Sequence, residues 1–416
     1  MEILLSVLLF LLGLGGGGGE QEARPITMEQ IIAAAIEFHE QRQNAGEGGA
    51  DAGQVTPGEE RNDSPGNGGR PSSGGKETIT KIDPDPNAPK VKGIYMTGPS
   101  ASIDRFNTLV QLVKETELNA IVLDVKEDNG YMTFEPATPE LKQMGNYKKW
   151  IRDIHQVMET FRENDIYPIA RIVVFKDTVL AKQRPDLSFV RPDGTVWVNN
   201  RSESFVNPYL KEVWDYNIMI AKEAAAVGFK EIQFDYVRFP EGFENRADEL
   251  VYAKDDRSRV DVVAEFVKYA REQLNPLGVR ISVDIFGYTA SVPAAEGIGQ
   301  DFNKISTYVD VISPMVYPSH YSTGWFGLPV PDAAPYETIY GAMTDTLKKL
   351  EEIRDIKPIV RPWIQDFTAT WVKGYIPYGV KEVEAQIKAL YDTGIDEFLL
   401  WNSGNKYTQG VNYDLQ

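Results

Sequence analysis

The sequence contains no cysteine. That absence excludes disulfides, thiol nucleophiles, iron–sulfur clusters and thiolate zinc sites, while leaving the compartment open, because an exported protein can do without disulfides. Histidine is nearly as scarce, limited to His39, His155 and His320. His39 lies in an N-terminal segment and His155 in the middle of a predicted helix, which argues against a multi-histidine metal site and against a serine–histidine–aspartate triad. No metal site and no cofactor is expected. Basic charge is in deficit as well: 43 Lys and Arg stand against 61 Asp and Glu, a formal charge of −18. Binding to phosphate backbones wants a basic surface, so the balance argues against nucleic acid as the main partner. Carboxylates are the main acid–base groups left.

Long apolar runs are few. The one at Ile3–Leu14, closed by Gly15–Gly19, is shorter than the roughly 20 residues that span a bilayer. Residues 1–19 therefore read as a signal-peptide-like or anchor segment, and the expectation is a secreted or cell-surface protein associated with membrane or cell wall through this end. Residues 20–43 are predicted to hold a short amphipathic helix, with Ile31, Ile32, Ala35 and Phe38 on one side. Residues 44–88 are Gly, Pro, Ser, Asn and charge with hardly a large apolar side chain. They cannot offset the entropy of ordering and read as a disordered linker.

From residue 89 to 416 the pattern becomes regular. Strands are predicted at Val91–Thr97, Ala120–Lys126, Pro168–Phe175, Glu231–Val237, Arg280–Phe286, Val309–Val316, Pro358–Ile364 and Glu397–Trp401. Helical stretches lie between most of them, at 103–116, 147–164, 210–227, 261–274, 336–353 and 380–393. Eight strands alternating with helices predict an α/β fold, a (β/α)8 TIM barrel with loop insertions. The insertions are Phe189–Asn200, with a hairpin signal at Asp193-Gly194, and Pro318–Pro335. A doubly wound sheet would want a glycine-rich first turn, which Gly98-Pro99-Ser100 does not supply.

The centre of this pattern is Glu231-Ile232-Gln233-Phe234-Asp235-Tyr236-Val237-Arg238-Phe239-Pro240. Strand alternation puts Gln233 and Asp235 on one face and Ile232, Phe234 and Tyr236 on the other. Inward-pointing polar residues recur near the carboxyl ends of other strands: Asp124 and Lys126, Ser282 and Asp284, Arg361, Trp363 and Gln365 with Asp366 beyond, and Trp401-Asn402. A lone buried carboxylate is most simply a salt bridge, and Asp124 with Lys126 or Asp235 with Arg238 would be just that. Carboxylates at one end of three barrel strands point instead to an active site, because that face is where barrels place their chemistry. Tyr95, Tyr236, Phe286, Tyr317, Trp325, Trp363 and Trp401 share this end. Rings beside carboxylates and amides describe a groove that stacks sugars and hydrogen-bonds hydroxyls, and paired carboxylates suit glycosidic cleavage.

The motifs Lys92-Gly93-Ile94-Tyr95, Leu123-Asp124-Val125-Lys126 with Gly130, and Phe234 through Pro240 carry a family resemblance. So do Val283-Asp284-Ile285-Phe286-Gly287, Ser313 through His320, Arg361-Pro362-Trp363-Ile364-Gln365-Asp366 and Leu400-Trp401-Asn402. In these the chain resembles a bacterial glycoside hydrolase family, a TIM-barrel group first catalogued as a domain of unknown function and distantly similar to α-amylase-like barrels. The resemblance implies Asp235 as nucleophile. It implies a strand-five glutamate as proton donor, where this chain has Asp284, with Asp366, Asp124 and Glu127 as substitutes. His320 becomes a candidate substrate contact.

The sequence thus predicts a hydrolase of a glycosidic bond in a bacterial cell-wall or extracellular polysaccharide, with Asp235 and Asp284 catalytic. Tyr95, Asp124, Lys126, Gln233, Arg238, Tyr317, His320, Trp363, Gln365, Asp366, Trp401 and Asn402 are the expected contacts to the polysaccharide or oligosaccharide. The alternatives are a non-catalytic carbohydrate-binding surface protein on the same scaffold, and an oxygen-only divalent-metal site built from Asp124, Asp235 and Asp284.

Overall fold

The computed structural model describes residues 85–353 and 357–415. The readings of residues 1–19, 20–43 and most of 44–88 lie outside the described residues. Among the described residues no helix is long and apolar enough to cross a membrane.

The strands are β1 (Lys92–Met96), β2 (Ala120–Lys126), β3 (Tyr167–Val173), β4 (Glu231–Asp235), β5 (Arg280–Phe286), β6 (Val311–Met315), β7 (Ile359–Val360), β8 (Trp363–Gln365) and β9 (Phe398–Trp401). All of their pairings are parallel, and the β5–β6 pairing closes the sheet. The strand expected over 358–364 is broken in two, because Pro362 has no N–H to give to a ladder. Both halves pair with β6, so they form one stave and the barrel has the eight of a (β/α)8 fold.

The helices between the staves are α1 (Asp104–Glu115), α2 (Pro139–Met144), α3 (Ile154–Glu163), α4 (Thr178–Gln183), α5 (Lys211–Val227), α6 (Arg259–Leu274), α7 (Phe302–Tyr308), α8 (Pro335–Glu351) and α9 (Val380–Asp392). Asp153 accepts from Gln156 N and so starts α3 seven residues later than the periodicity suggested. The short α2, α4 and α7 give too few turns for a periodic signal. The barrel interior is filled by Tyr95, Val122, Ile169, Trp363 and Leu399. Gly93 permits this packing, since a Cβ there would lie 2.8 Å from Leu399 Cδ2.

Two details overturn the simple alternation. The β2–β3 register shifts between Asp124 and Lys126, so Asp124 faces the interior while Lys126 turns outward to α5, where its Nζ donates to Asn217 Oδ1 (3.0 Å) and pairs with Asp177 (2.7 Å). At the end of β4, Tyr236 has φ +51°. The strand therefore stops at Asp235, and Tyr236 leaves the apolar face it was expected to share with Ile232 and Phe234.

Candidate active site

Glu231, Gln233 and Asp235 alternate along β4 onto the inward face, and the last of them is the anchor of a charged cluster at the carboxyl ends of the strands. Asp235 Oδ2 accepts from Arg171 Nε (3.0 Å) and Nη2 (2.6 Å), while Oδ1 accepts from the backbone N–H of Tyr236 (2.6 Å). Arg171 comes from β3, where parallel register sets it beside Asp124 on one neighbour and Gln233 on the other. Its Nη1 donates to Asp124 Oδ1 (2.8 Å) and its Nη2 also to Asp128 Oδ1 (2.8 Å). The second oxygen of Asp124 accepts from Tyr95 OH (2.6 Å). Lys176 Nζ joins Asp128 Oδ2 (2.9 Å) to Glu203 Oε1 (3.3 Å). The expected pairs are therefore replaced: Lys126 binds Asp177, Arg238 binds Glu241 at 3.1 Å, and one guanidinium holds Asp124, Asp128 and Asp235 together.

Asp284 follows Val283, the β5 partner of Phe234, so the register carries it alongside Asp235. It accepts from Trp363 Nε1 (2.8 Å) and forms no ion pair among the described residues. Burial, reinforced by the charge of Asp235, holds its carboxyl well above the usual carboxylate range. Burial also pushes Asp124 up to about 6, against the pull of Arg171. Asp128 goes the other way, because Arg171 and Lys176 together outweigh its desolvation. Neighbouring carboxylates are thus driven to different protonation states, which is how one site comes to hold both an acid and a base.

Aromatic rings cover the cluster. Tyr95 and Trp401 stack at 4.2 Å, and the Arg171 guanidinium lies 5.6 and 5.5 Å from their centroids. Trp401 continues to Tyr317 at 6.4 Å, Tyr317 to Phe367 at 6.1 Å, and Phe367 to Trp371 at 6.0 Å. Trp371 is 68% exposed. Under these rings Asp235 is 5% and Asp284 2% exposed. An open cavity of about 220 Å³ lies to one side; Tyr236 and Arg238 line it, whereas Asp235 and Asp284 do not.

The structure brings Tyr95, Asp124, Asp235, Asp284, Tyr317, Trp363 and Trp401 together, with Arg238 and His320 at the rim. His320 bonds Ser319 through Nδ1 (3.0 Å), packs edge-on against Tyr317, and lies near enough to Glu241 and Arg201 to feel their charges. Five expected contacts fall elsewhere. Lys126 faces α5, as above. Gln233 is fully buried below the cluster and donates to Ser313 Oγ (3.3 Å). Gln365 ties loops together, accepting from Ser319 N (3.1 Å) and donating to Asp332 Oδ1 (3.0 Å). Asp366 is taken up by Thr408, accepting from its Oγ1 (2.6 Å) and N (2.9 Å). Asn402 shapes a turn, donating to Asp366 O (2.6 Å) and accepting from Gly404 N (2.9 Å). Arg171, Asp128 and Lys176 are the members that sequence reasoning missed. A charged residue inside the apolar run Tyr167–Val173 was the available signal for Arg171.

Gly130 is shaped by this neighbourhood: at φ +106°, a Cβ would come within 2.0 Å of Asp177 Oδ1, the partner of Lys126. No group of three or more carboxylates or histidines among the described residues is placed to hold a metal ion. Where Asp124 and Asp235 approach one another, the shared cation is Arg171.

A family model described as "Putative glycosyl hydrolase domain" matches residues 93–407. No curated protein matches the chain. Among solved structures, a hypothetical protein from Ruminiclostridium thermocellum is 38% identical, covering 46% of this chain and 96% of that one with a TM-score of 0.42. The PgaB (BpsB) glycoside hydrolase domain from Bordetella bronchiseptica shares the fold at 12% identity, over 76% of this chain and 95% of its own, with a TM-score of 0.51. The spore cortex-lytic enzyme SleL from Bacillus cereus is 12% identical over 78% of this chain and 73% of its own, with a TM-score of 0.46. The family match spans three quarters of the sequence and the whole closed barrel, and on it the chain belongs to this glycosyl hydrolase family.

Proposed function

We propose that the barrel cleaves a glycosidic bond of a cell-wall or extracellular polysaccharide by a retaining mechanism, with Asp235 as nucleophile and Asp284 as acid and base. One observation carries this reading: Asp235 is ion-paired with Arg171 at 2.6 Å, while the adjacent Asp284 has only an indole N–H as hydrogen-bond partner and burial drives its carboxyl toward the protonated form. Asp284 would give that proton to the glycosidic oxygen as Asp235 attacks the anomeric carbon and the leaving group departs. Water then attacks the glycosyl ester, Asp284 takes its proton back, and Asp235 is released. Arg171 and the Tyr236 N–H position the nucleophile, and the ring series from Trp401 to the exposed Trp371 suits an extended chain of sugars. The N-terminal segment would keep the barrel at the cell surface, where such a polymer lies.

The test separates the two carboxylates by leaving group. Against a panel of wall and exopolysaccharides, Asp235→Asn and Asp284→Asn should both lose turnover, by about 10²- to 10⁴-fold for the acid. Only Asp284→Asn should keep activity on aryl glycosides whose leaving group needs no proton. Equal cleavage by both variants and the parent would sink the assignment. The binding-only alternative draws support from the near-complete cover over Asp235 and Asp284. It predicts glycan binding without product, and binding unchanged in Asp235→Asn.

A further inference from the structure

The cavity beside Tyr236 has a chemistry the bond-cleaving pair does not use. Three arginines line it, Arg201, Arg238 and Arg246, in a chain whose formal charge is −18. Its two carboxylates are already engaged: Glu203 with Lys176 (3.3 Å) and Asn199 Nδ2 (2.8 Å), Glu241 with Arg238 (3.1 Å). Arg201 and Arg246 have no carboxylate partner among the described residues. Arg246 is held in place by the Trp197 ring at 5.4 Å, on the far side of the Asp193-Gly194 hairpin, and by Nε to Gly242 O at 3.4 Å. Tyr236 also lines it; its ring is flanked by Lys176 at 4.0 Å and Arg238 at 4.7 Å, and its N–H binds Asp235.

A guanidinium with no internal anion, lining a cavity between rings, is suited to receive a carboxylate in a planar, two-point hydrogen bond. The space of about 220 Å³ is below the roughly 300–1,000 Å³ of clefts that bury drug-sized ligands. It accommodates one sugar ring with its substituent. We propose that this cavity is a subsite for an acidic sugar, a hexose unit bearing a carboxylate, which Arg201 and Arg246 receive while Trp197 and Tyr236 face the ring. This rests on reading the barrel mouth as a carbohydrate site, and it names the substrate class: a glycan with a uronic or lactyl acid one unit from the bond presented to Asp235.

Saturation-transfer NMR on the full chain tests it without requiring turnover. The probes are three matched pairs: glucuronate with glucose, galacturonate with galactose, and N-acetylmuramate with N-acetylglucosamine. The acidic member of at least one pair should give a signal several-fold above its neutral partner. That advantage should fall at high salt, vanish in the Arg201→Gln/Arg246→Gln double variant, and persist in Asp235→Asn. Should the double variant fold poorly, Arg201→Gln alone, at an exposed position, should halve the advantage or better. Equal signals within all three pairs, or an advantage that survives removal of the arginines, would overturn the proposal. Loss of turnover in Asp235→Asn with the acidic preference intact shows that the two assignments fail or hold separately.

Discussion

The barrel encloses two arginine-centred clusters, one at each end, each an arginine among carboxylates. At the amino ends of the strands, Arg361 donates through Nη1 to both oxygens of Glu231 (2.8 and 2.9 Å) and through Nε to Glu397 (2.8 Å). Arg361 and Glu231 are fully buried. At the carboxyl ends, Arg171 holds Asp124, Asp128 and Asp235. The lower cluster is closed: each of its carboxylates touches the guanidinium. The upper one is not. Asp284 sits beside it without a cation, and Asp128 leads outward through Lys176 and Glu203 to an open cavity. A buried ion pair by itself is therefore no sign of chemistry in this fold. The sign is a carboxylate left out of the pairing, next to one that is held in it, at the end where loops rise.

Removing each arginine would sharpen that contrast most. Arg171→Met leaves Asp124 and Asp235 as uncompensated buried charges and should lose about 3–5 kcal/mol of stability. It also releases Asp235, the proposed nucleophile, and small displacements of a reacting group cost about 10²-fold; turnover per folded molecule, measured below the unfolding transition, should fall by that order. Arg361→Met should give a similar loss of about 3–5 kcal/mol in urea unfolding, for the same reason. Its turnover per folded molecule should stay within about twofold of the parent, because none of its partners reaches the mouth. If both variants lost activity equally, the distinction between the ends would be broken.

Much of this architecture was legible in the sequence because strand alternation marks which residues point inward. Gln233 and Asp235 were readable as one face, and Asp124 and Asp284 as its neighbours. What could not be read was who pairs with whom. Asp124 and Lys126 share a parity, and only the register shift between them sends the lysine to the helix layer. Arg171 was hidden for a different reason. β3 is an apolar run broken only by this arginine, and which carboxylates the long side chain binds, on both flanking strands, is a relation set by the parallel register. Tyr236 looked apolar-facing because alternation cannot announce the left-handed residue that ends it. Gln365, Asp366 and Asn402 lie at strand ends as Asp235 does, yet each is spent on the loops that arrive there.

The smallest of the expected effects bears on the upper cluster alone and turns on a sign. Burial raises Asp124 from 3.8 to about 6 even with Arg171 at 2.8 Å. Between those values the native state holds a proton that the unfolded chain has released, so stability should fall as pH rises through this window and then level off. A shift of about two units corresponds to at most about 3 kcal/mol. Asp124→Asn keeps the shape without the charge, so its unfolding free energy should gain on the parent from pH 4 to pH 7, by up to that amount. An ordinary surface ion pair would do the reverse, with the parent gaining on the variant as the carboxylate ionises. A pair of urea titrations at pH 4 and pH 7 decides which holds. The outcome matters beyond Asp124, because Asp284 rests on the same balance, its burial opposed by the Trp363 N–H and by the charge of an Arg171 to which it is not ion-paired. If Arg171 proves strong enough to reverse the slope at Asp124, the ground for a neutral Asp284 one strand beyond Asp235 weakens with it.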